Sequence, residues 1–256
     1  MMDIEKPLLR RPAIFGRFPG LSAGESTRHG GVSAPPFASL NLGKSTDDNL
    51  EHVAENRRRF CNTLGFDPNQ MAFSYQVHGD QVRLVTEAGG SEGYDALITQ
   101  VPGVLLAVSI ADCTPILIVD PVTKGIAAIH AGWRGTEAQI ARKTMEAMQV
   151  AFGTRPETCW AYVGTCIDEC SFEVGPDVAD HFDAAFKQYN ADTDRFLVDL
   201  KKANRAQLQF CGIPAAQIET SAYSTVLHVE DYFSHRKEKG QTGRMLCAIG
   251  WQQTAQ

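Results

Sequence analysis

The chain has 256 residues, 43% of them hydrophobic and 21% charged, with a formal net charge of -6 and a pI near 5.6. This is ordinary globular usage, enough for one large domain or two small ones. The acidic balance argues against a broad basic face for nucleic acid or an anionic membrane, and so points to small-molecule partners.

The sequence has no run of about 18 apolar residues, and Met1 to Gly20 is too charged and too broken by proline for a signal peptide. The expected compartment is therefore the cytoplasm. There, the seven scattered cysteines read as thiols rather than a disulfide frame. No repeat, low-complexity tract or long linker divides the chain. Residues 1–256 are expected to form one domain, as a monomer or a homodimer.

Residues 29 to 43 are rich in Gly, Pro and Ser and predict a structured loop leading into a short strand. A helix is expected from about Asp48 to Leu64, opened by an Asp48-x-x-Glu51 capping box and stopped by Gly65, with Leu50, Val53, Phe60 and Leu64 on its apolar face. From Met71 the period changes to two. Met71, Phe73, Tyr75 and Val77 share one side, while Ala72, Ser74, Gln76 and His78 share the other, so His78 ends the polar face of a half-buried strand. Val104 to Ile110 and Ile116 to Val119 are continuous apolar runs, as strands covered on both faces require. Asp120 to Gly125 reads as a turn between antiparallel strands, and Ile126 to Ile129 as the returning strand. A helix is expected to begin at Thr136, with Gln139 as its capping-box partner and Ala141, Met145, Met148 and Phe152 as its buried stripe.

Two chemistry-bearing residues stand at the ends of these apolar strands. Cys113 lies in Ala111-Asp112-Cys113-Thr114-Pro115, and His130 opens His130-Ala131-Gly132-Trp133-Arg134-Gly135 seventeen residues later. A third candidate, His78, lies in Gln76-Val77-His78-Gly79. A His/Cys/His set would suit zinc with one coordination position left open, as in catalytic sites. The long spacings have none of the clustering of a zinc finger, so the local setting must carry the argument. Each residue also has a plainer reading. A lone cysteine among apolar residues is commonly a small buried hydrophobe, His130 could be a hydrogen-bonded strand end, and His78 a surface histidine. Asp112 and Pro115 nevertheless break two strong strands at Cys113, and such turns are where sites are built. Cys166 and Cys170 form a C-x3-C pair without a second pair and read as ordinary thiols. His228 and His235 flank Phe233-Ser234 in a polar segment, facing either substrate or solvent.

Eight segments in order carry a resemblance: His29 to Ser33, Ser39 to Gly43, Gln76 to Gly79, Asp95 to Thr99, Ala111 to Pro115, His130 to Gly135, Phe172 to Gly175 and Phe233 to Arg236. Together they resemble the motif series of the YfiH family, also named for polyphenol oxidase or a laccase domain, over about residues 29–251. The resemblance implies an α+β fold with mixed β-sheets and flanking helices, related in Cys/His placement to bacterial toxin deamidases. It also implies zinc-dependent purine nucleoside phosphorylase activity on adenosine, inosine and methylthioadenosine, with accompanying adenosine deaminase activity. His78, Cys113 and His130 match the family's zinc ligands; Asn41, Arg134 and Arg236 match polar positions in or near its pocket. One departure is at Ser221 to Thr225, where many relatives carry a cysteine before the threonine.

The residue chemistry leaves three enzymatic readings. Two neutral imidazoles and one thiolate leave a zinc ion net positive, able to polarise a substrate oxygen, while Arg134 and Arg236 offer bidentate contacts to phosphate. Alternatively Cys113 is the nucleophile and His130 the base of a metal-free hydrolase or amidase acting in peptidoglycan precursor editing, as the association of bacterial relatives with cell-wall quality control implies. A copper polyphenol oxidase fits less well, because the seven histidines contain no His-x-His pair. A non-enzymatic factor binding cell-wall precursors is the remaining alternative.

Overall fold

The computed structural model describes residues 6–253, so the first five residues of the charged opening segment and the last three of the chain lie outside the described residues. In chain order the strands are β1 (Leu9–Arg10), β2 (Leu21–Ser26), β3 (Met71–Tyr75), β4 (Val82–Leu84), β5 (Gly89–Glu92), β6 (Ala96–Thr99), β7 (Leu105–Ile110), β8 (Thr114–Val119), β9 (Ile126–Ala131), β10 (Trp160–Val163), β11 (Glu173–Val174), β12 (Lys187–Asn190), β13 (Arg195–Val198), β14 (Ile218–Thr220) and β15 (Met245–Trp251). The helices are α1 (Leu50–Leu64), α2 (Trp133–Glu137), α3 (Ile140–Phe152), α4 (Pro176–Ala179) and α5 (Leu200–Phe210). One sheet has the order β1-β2-β15-β7-β3-β5 and a second the order β14-β10-β8-β9-β6-β4. Both are mixed: β3 runs parallel to β5 and β7, β4 to β6, and β10 to β14, while the other pairs are antiparallel.

The sheets pack face to face. Leu106, Val108, Cys247 and Ile249 of the first meet Leu117, Val119, Ile126 and Ala128 of the second in one buried cluster. The outer face of the first sheet is covered by α1 through Phe60, Cys61 and Leu64, and that of the second by α3 and α5 through Ile140, Met145, Met148 and Leu208. Strands covered on both faces must be apolar throughout, which is why β8 and β9 are buried at every position. Each such Val, Leu or Ile contributes about 1.5–3 kcal/mol by leaving water. A third, three-stranded sheet, β11-β13-β12, forms a smaller lobe with α4 around Phe172, Val174, Phe182 and Val198.

The structure adjusts several sequence expectations. Residues 29–43 are a loop, but the next regular element is α1 rather than a short strand. That helix is capped by Asn49, not Asp48, because the Asp48 carboxylate accepts from Ser33 Oγ (2.6 Å) and Asn41 Nδ2 (2.9 Å). Its burial begins at Val53, leaving Leu50 exposed, and Gly65 ends it in the left-handed region as expected. Strand β3 stops at Tyr75; Tyr75 and Val77 are exposed, and His78 sits beyond the strand in a turn with φ 59°. The returning strand β9 runs to Ala131, so His130 lies within it, opposite Pro115. The helix after it does not start at Thr136. Instead α2 starts at Trp133 and ends at Glu137, Gln139 takes φ 61°, and α3 begins at Ile140 with the anticipated Ala141, Met145 and Met148 buried and Phe152 packed beside them.

Candidate metal centre and cavity

Cys113 reaches its position because the chain changes sheets there. Strand β7 belongs to the first sheet and β8 to the second, and Ala111-Asp112-Cys113 makes the crossing between them. His130 comes from the second sheet on β9, while His78 follows β3 of the first. The ligand atoms of His78, Cys113 and His130 all lie within 4.8 Å of one another. Donors about 2.0–2.3 Å from a shared tetrahedral ion stand roughly 3.5 Å apart, so small side-chain rotations would close the set around a metal. The two imidazole rings meet edge to face with centroids 4.9 Å apart. Gly132 keeps the space open: a Cβ there would lie 3.1 Å from His78 Cδ2 and 3.3 Å from Cys113 Sγ.

One buried carboxylate organises both histidines. Asp95 Oδ1 accepts from His130 Nδ1 at 2.8 Å and from the His78 amide at 3.0 Å. Its Oδ2 accepts from the Gly79 and Val77 amides at 2.8 and 3.2 Å. A carboxylate only accepts here, so the His130 proton lies on Nδ1 and Nε2 is left as the ligand nitrogen. The amide contacts hold His78 in its left-handed conformation, which is uncommon for a residue with a Cβ. Burial alone would raise the Cys113 pKa, but the adjacent His130 and His78 outweigh it and bring the thiol down to about 6. Burial would lower that of His130; the Cys113 thiolate and Asp95 outweigh it and push the imidazole up to about 9.

The trio opens into a cavity of about 720 Å³, within the range for small-molecule sites. Lys44, Arg57 and Arg244 line it, with Asp112 the only acidic residue among its lining. Arg57 is 8% exposed, donates from Nε to Leu42 O (2.8 Å), and pairs with no carboxylate among the described residues. Burial brings its pKa down to about 10, and it shares the ring of Phe73 with Lys44, at 4.8 and 4.5 Å from the centroid. A buried cation that no carboxylate neutralises, lining a cavity with two others, is suited to seat an anion. Trp133, Ile167, Phe172 and Leu200 supply apolar lining.

The other expected pocket residues divide. Arg236 lines the cavity, its guanidinium donating to Glu173 O (3.1 Å). Arg134 is exposed and stacks on Trp133 at 4.2 Å, outside the lining itself. Asn41 is fully buried and also outside the lining, because its amide is spent on Thr46, Asp48 and the Gly43 and Arg244 amides, holding the loop that carries Lys44. His235 lines the cavity, whereas His228 packs on Tyr223. Cys166 is buried and Cys170 is exposed beside Asp168, with no shared ligand geometry. Asp95, Arg57, Lys44 and Arg244 are candidates that only the structure brings into view. Arg57 left a signal, standing on the buried stripe of α1 between Val53 and Cys61 where an apolar residue is the norm.

Two mixed sheets flanked by helices, with a Cys/His cluster at their seam and a cationic cavity above it, define an α+β protein with a single potential metal centre among the described residues. The family model described as multi-copper polyphenol oxidoreductase laccase matches residues 22–252. The chain belongs to this laccase-domain family, the YfiH family. It is 43% identical over 246 residues to a purine nucleoside phosphorylase of Deinococcus radiodurans, covering 95% of this chain and 92% of that protein. It is 38% identical over 238 residues to the Escherichia coli purine nucleoside phosphorylase YfiH, covering 90% and 93%. The crystal structure of YlmD from Geobacillus stearothermophilus superposes with a TM-score of 0.91 at 34% identity, covering 97% and 98% of the two chains.

Proposed function

We propose that this protein is a zinc-dependent purine nucleoside phosphorylase, converting adenosine, inosine or methylthioadenosine and phosphate into the free base and ribose 1-phosphate, with adenosine deamination as a side activity. The supporting observation is that the His78/Cys113/His130 set and the unpaired cations Arg57, Lys44 and Arg244 share one cavity. The names of its relatives support the phosphorylase part of that reading. Zinc bound by the trio would supply a Lewis acid at the seam of the sheets. Arg57, Lys44 and Arg244 would hold phosphate for attack at C1′, while the C1′–N9 bond breaks with its electron pair passing to the purine. The apolar lining excludes water, which would otherwise divert the sugar to free ribose. Arg134 and Arg236 are further from this role than their sequence position implied, one stacked on Trp133 and the other held by backbone carbonyls. The multi-copper description is disfavoured chemically, since a laccase needs several histidine-rich clusters and one group of three qualifies among the described residues.

The deciding experiment is product analysis on adenosine and inosine with and without phosphate. Ribose 1-phosphate that appears only with phosphate supports phosphorolysis; free ribose, or inosine alone from adenosine, defeats it. In the same assay Arg57→Met is expected to raise KM for phosphate about tenfold or more by removing a charged contact. An unchanged KM removes Arg57 from the anion seat.

A second reading is favoured by Asp95, His130 and Cys113 in line: a cysteine hydrolase or amidase with Cys113 as nucleophile, His130 as base and Asp95 orienting it. It requires a trapped acyl-enzyme in metal-free protein. The metal reading makes a different demand. With the thiol near 6 and the imidazole near 9, the metal-free pair holds one proton at pH 7, and a metal must displace it. Calorimetry in buffers of different ionisation enthalpy is expected to show about one proton released per zinc bound. Zinc affinity should decline as pH falls below about 9, where the His130 proton competes, and more steeply below about 6, where the thiolate is protonated as well.

A further inference from the structure

Asp112 stands directly before Cys113, in the three residues that cross between the sheets, and its backbone adopts φ 83°. That conformation is disfavoured for residues with a Cβ, though Asp and Asn tolerate it better than most. Three contacts hold it. Asp112 Oδ1 accepts from the Thr225 hydroxyl (2.5 Å), Oδ2 accepts from the Arg236 amide (2.7 Å), and its carbonyl accepts from the Ile167 amide (2.9 Å). Each partner is itself anchored. The Thr225 amide donates to Cys166 O at 3.0 Å and its side chain is fully buried. Beyond its amide, Arg236 reaches Glu173 O of the three-stranded lobe with its guanidinium. Three segments remote in sequence therefore converge on the residue that aims Cys113.

We propose that Asp112 is a positioning residue whose carboxylate, held by Thr225 and Arg236, sets the direction of the Cys113 sulfur toward the metal position. This rests on the metal reading of the trio. Asp95 performs the corresponding task for His78 and His130, so two carboxylates, one buried and one half-buried, stand behind the three candidate ligands. The sulfur lies one peptide unit from Asp112, and a small rotation of that unit displaces it from its ligand partners. The same arrangement links the lobe and the C-terminal loop to the metal centre through Arg236.

Asp112→Asn separates the carboxylate from the backbone, since asparagine accepts the left-handed conformation equally well. Asparagine keeps its oxygen for the Arg236 amide only by turning its NH2 group on the Thr225 hydroxyl, which must then accept, so both charge-assisted bonds are replaced by weaker neutral ones. The expected result is an unchanged far-ultraviolet dichroism spectrum with zinc affinity lowered about 10- to 100-fold in chelator competition, as is typical for loss of a group that orients a ligand. In cobalt(II)-loaded protein the thiolate-to-metal charge-transfer band should weaken or shift, a readout that a purely structural residue would leave alone. Thr225→Val removes one holding contact and should move both readouts in the same direction by less. The double variant should fall short of additivity, because both changes act through one carboxylate. Wild-type zinc affinity and an unaltered cobalt band in Asp112→Asn overturn the proposal. Should that variant fail to fold, Thr225→Val decides it alone, and unchanged affinity and band there overturn it equally. Wild-type protein that takes up neither zinc nor cobalt defeats the underlying metal reading instead.

Discussion

Cys113→Ser is expected to lose zinc and phosphorolysis together while the fold survives. Serine keeps the shape of the side chain but is a poor zinc ligand at neutral pH, because its hydroxyl is not ionised. Zinc held by four Cys and His side chains gains about 10–16 kcal/mol in all, so one such ligand accounts for roughly 2.5–4 kcal/mol, on the order of a hundredfold in affinity. The fold should persist, since β8 and β9 pair through their backbones and their apolar faces, and neither depends on the sulfur. Metal content, product formation and alkylation measured together separate the two chemistries at this residue. A ligand thiolate reacts slowly until the metal is chelated, whereas a nucleophile reacts quickly in metal-free protein. If Cys113→Ser keeps its zinc but loses activity, and the wild type yields a trapped acyl-enzyme, the cysteine hydrolase replaces the phosphorylase.

Asp95→Ala should be costly in a different currency, stability first and metal second. It strips an acceptor from His130 Nδ1 and from the Val77, His78 and Gly79 amides at once. Leaving the buried His130 donor unpaired costs about 1–3 kcal/mol, and the three amides, on exposed or half-buried residues, add less because water can replace the carboxylate, so a loss of about 2–3 kcal/mol is expected from the denaturation midpoint. Zinc affinity should fall 10- to 100-fold as His130 loses its orientation. Burial would raise the Asp95 pKa, but His130 and the amides outweigh it and hold the carboxyl below its ordinary value. Its stabilisation is therefore complete above about pH 4 and is lost only as pH falls through the lower folded value. Asp95→Asn serves as the control if the alanine variant does not fold, since its amide cannot accept at both oxygen positions. A wild-type midpoint together with wild-type zinc affinity would show that Asp95 does not organise the histidines.

The sequence exposes the candidate ligands more readily than their supports. Cys113 and His130 were visible because each interrupts or ends an apolar run, where a polar group has few structural reasons to stand. Asp95 opens an apolar strand in the same way, but its role depends on bonds to residues 17 and 35 positions away, which no local pattern encodes. Continuous apolar runs showed that β7 and β8 are covered on both faces. They could not show that the chain changes sheets between them, because burial pattern carries no record of which partner strand lies alongside. The break between α2 and α3 was hidden for a related reason. Gln139 is an ordinary helix former, so its own propensity gives no sign that it takes the left-handed conformation between two helices.

The three candidate ligands do not come from one side of the molecule: His78 follows a strand of the first sheet, His130 lies on the second, and Cys113 is on the span that joins them. An ion bound there is a rivet through two plates. The plates cannot part, or slide far along their shared apolar face, without shearing it. Metal supply would then tighten the junction of the sheets as well as enable the chemistry, and a cell short of the ion would hold a folded but looser molecule rather than a merely idle one.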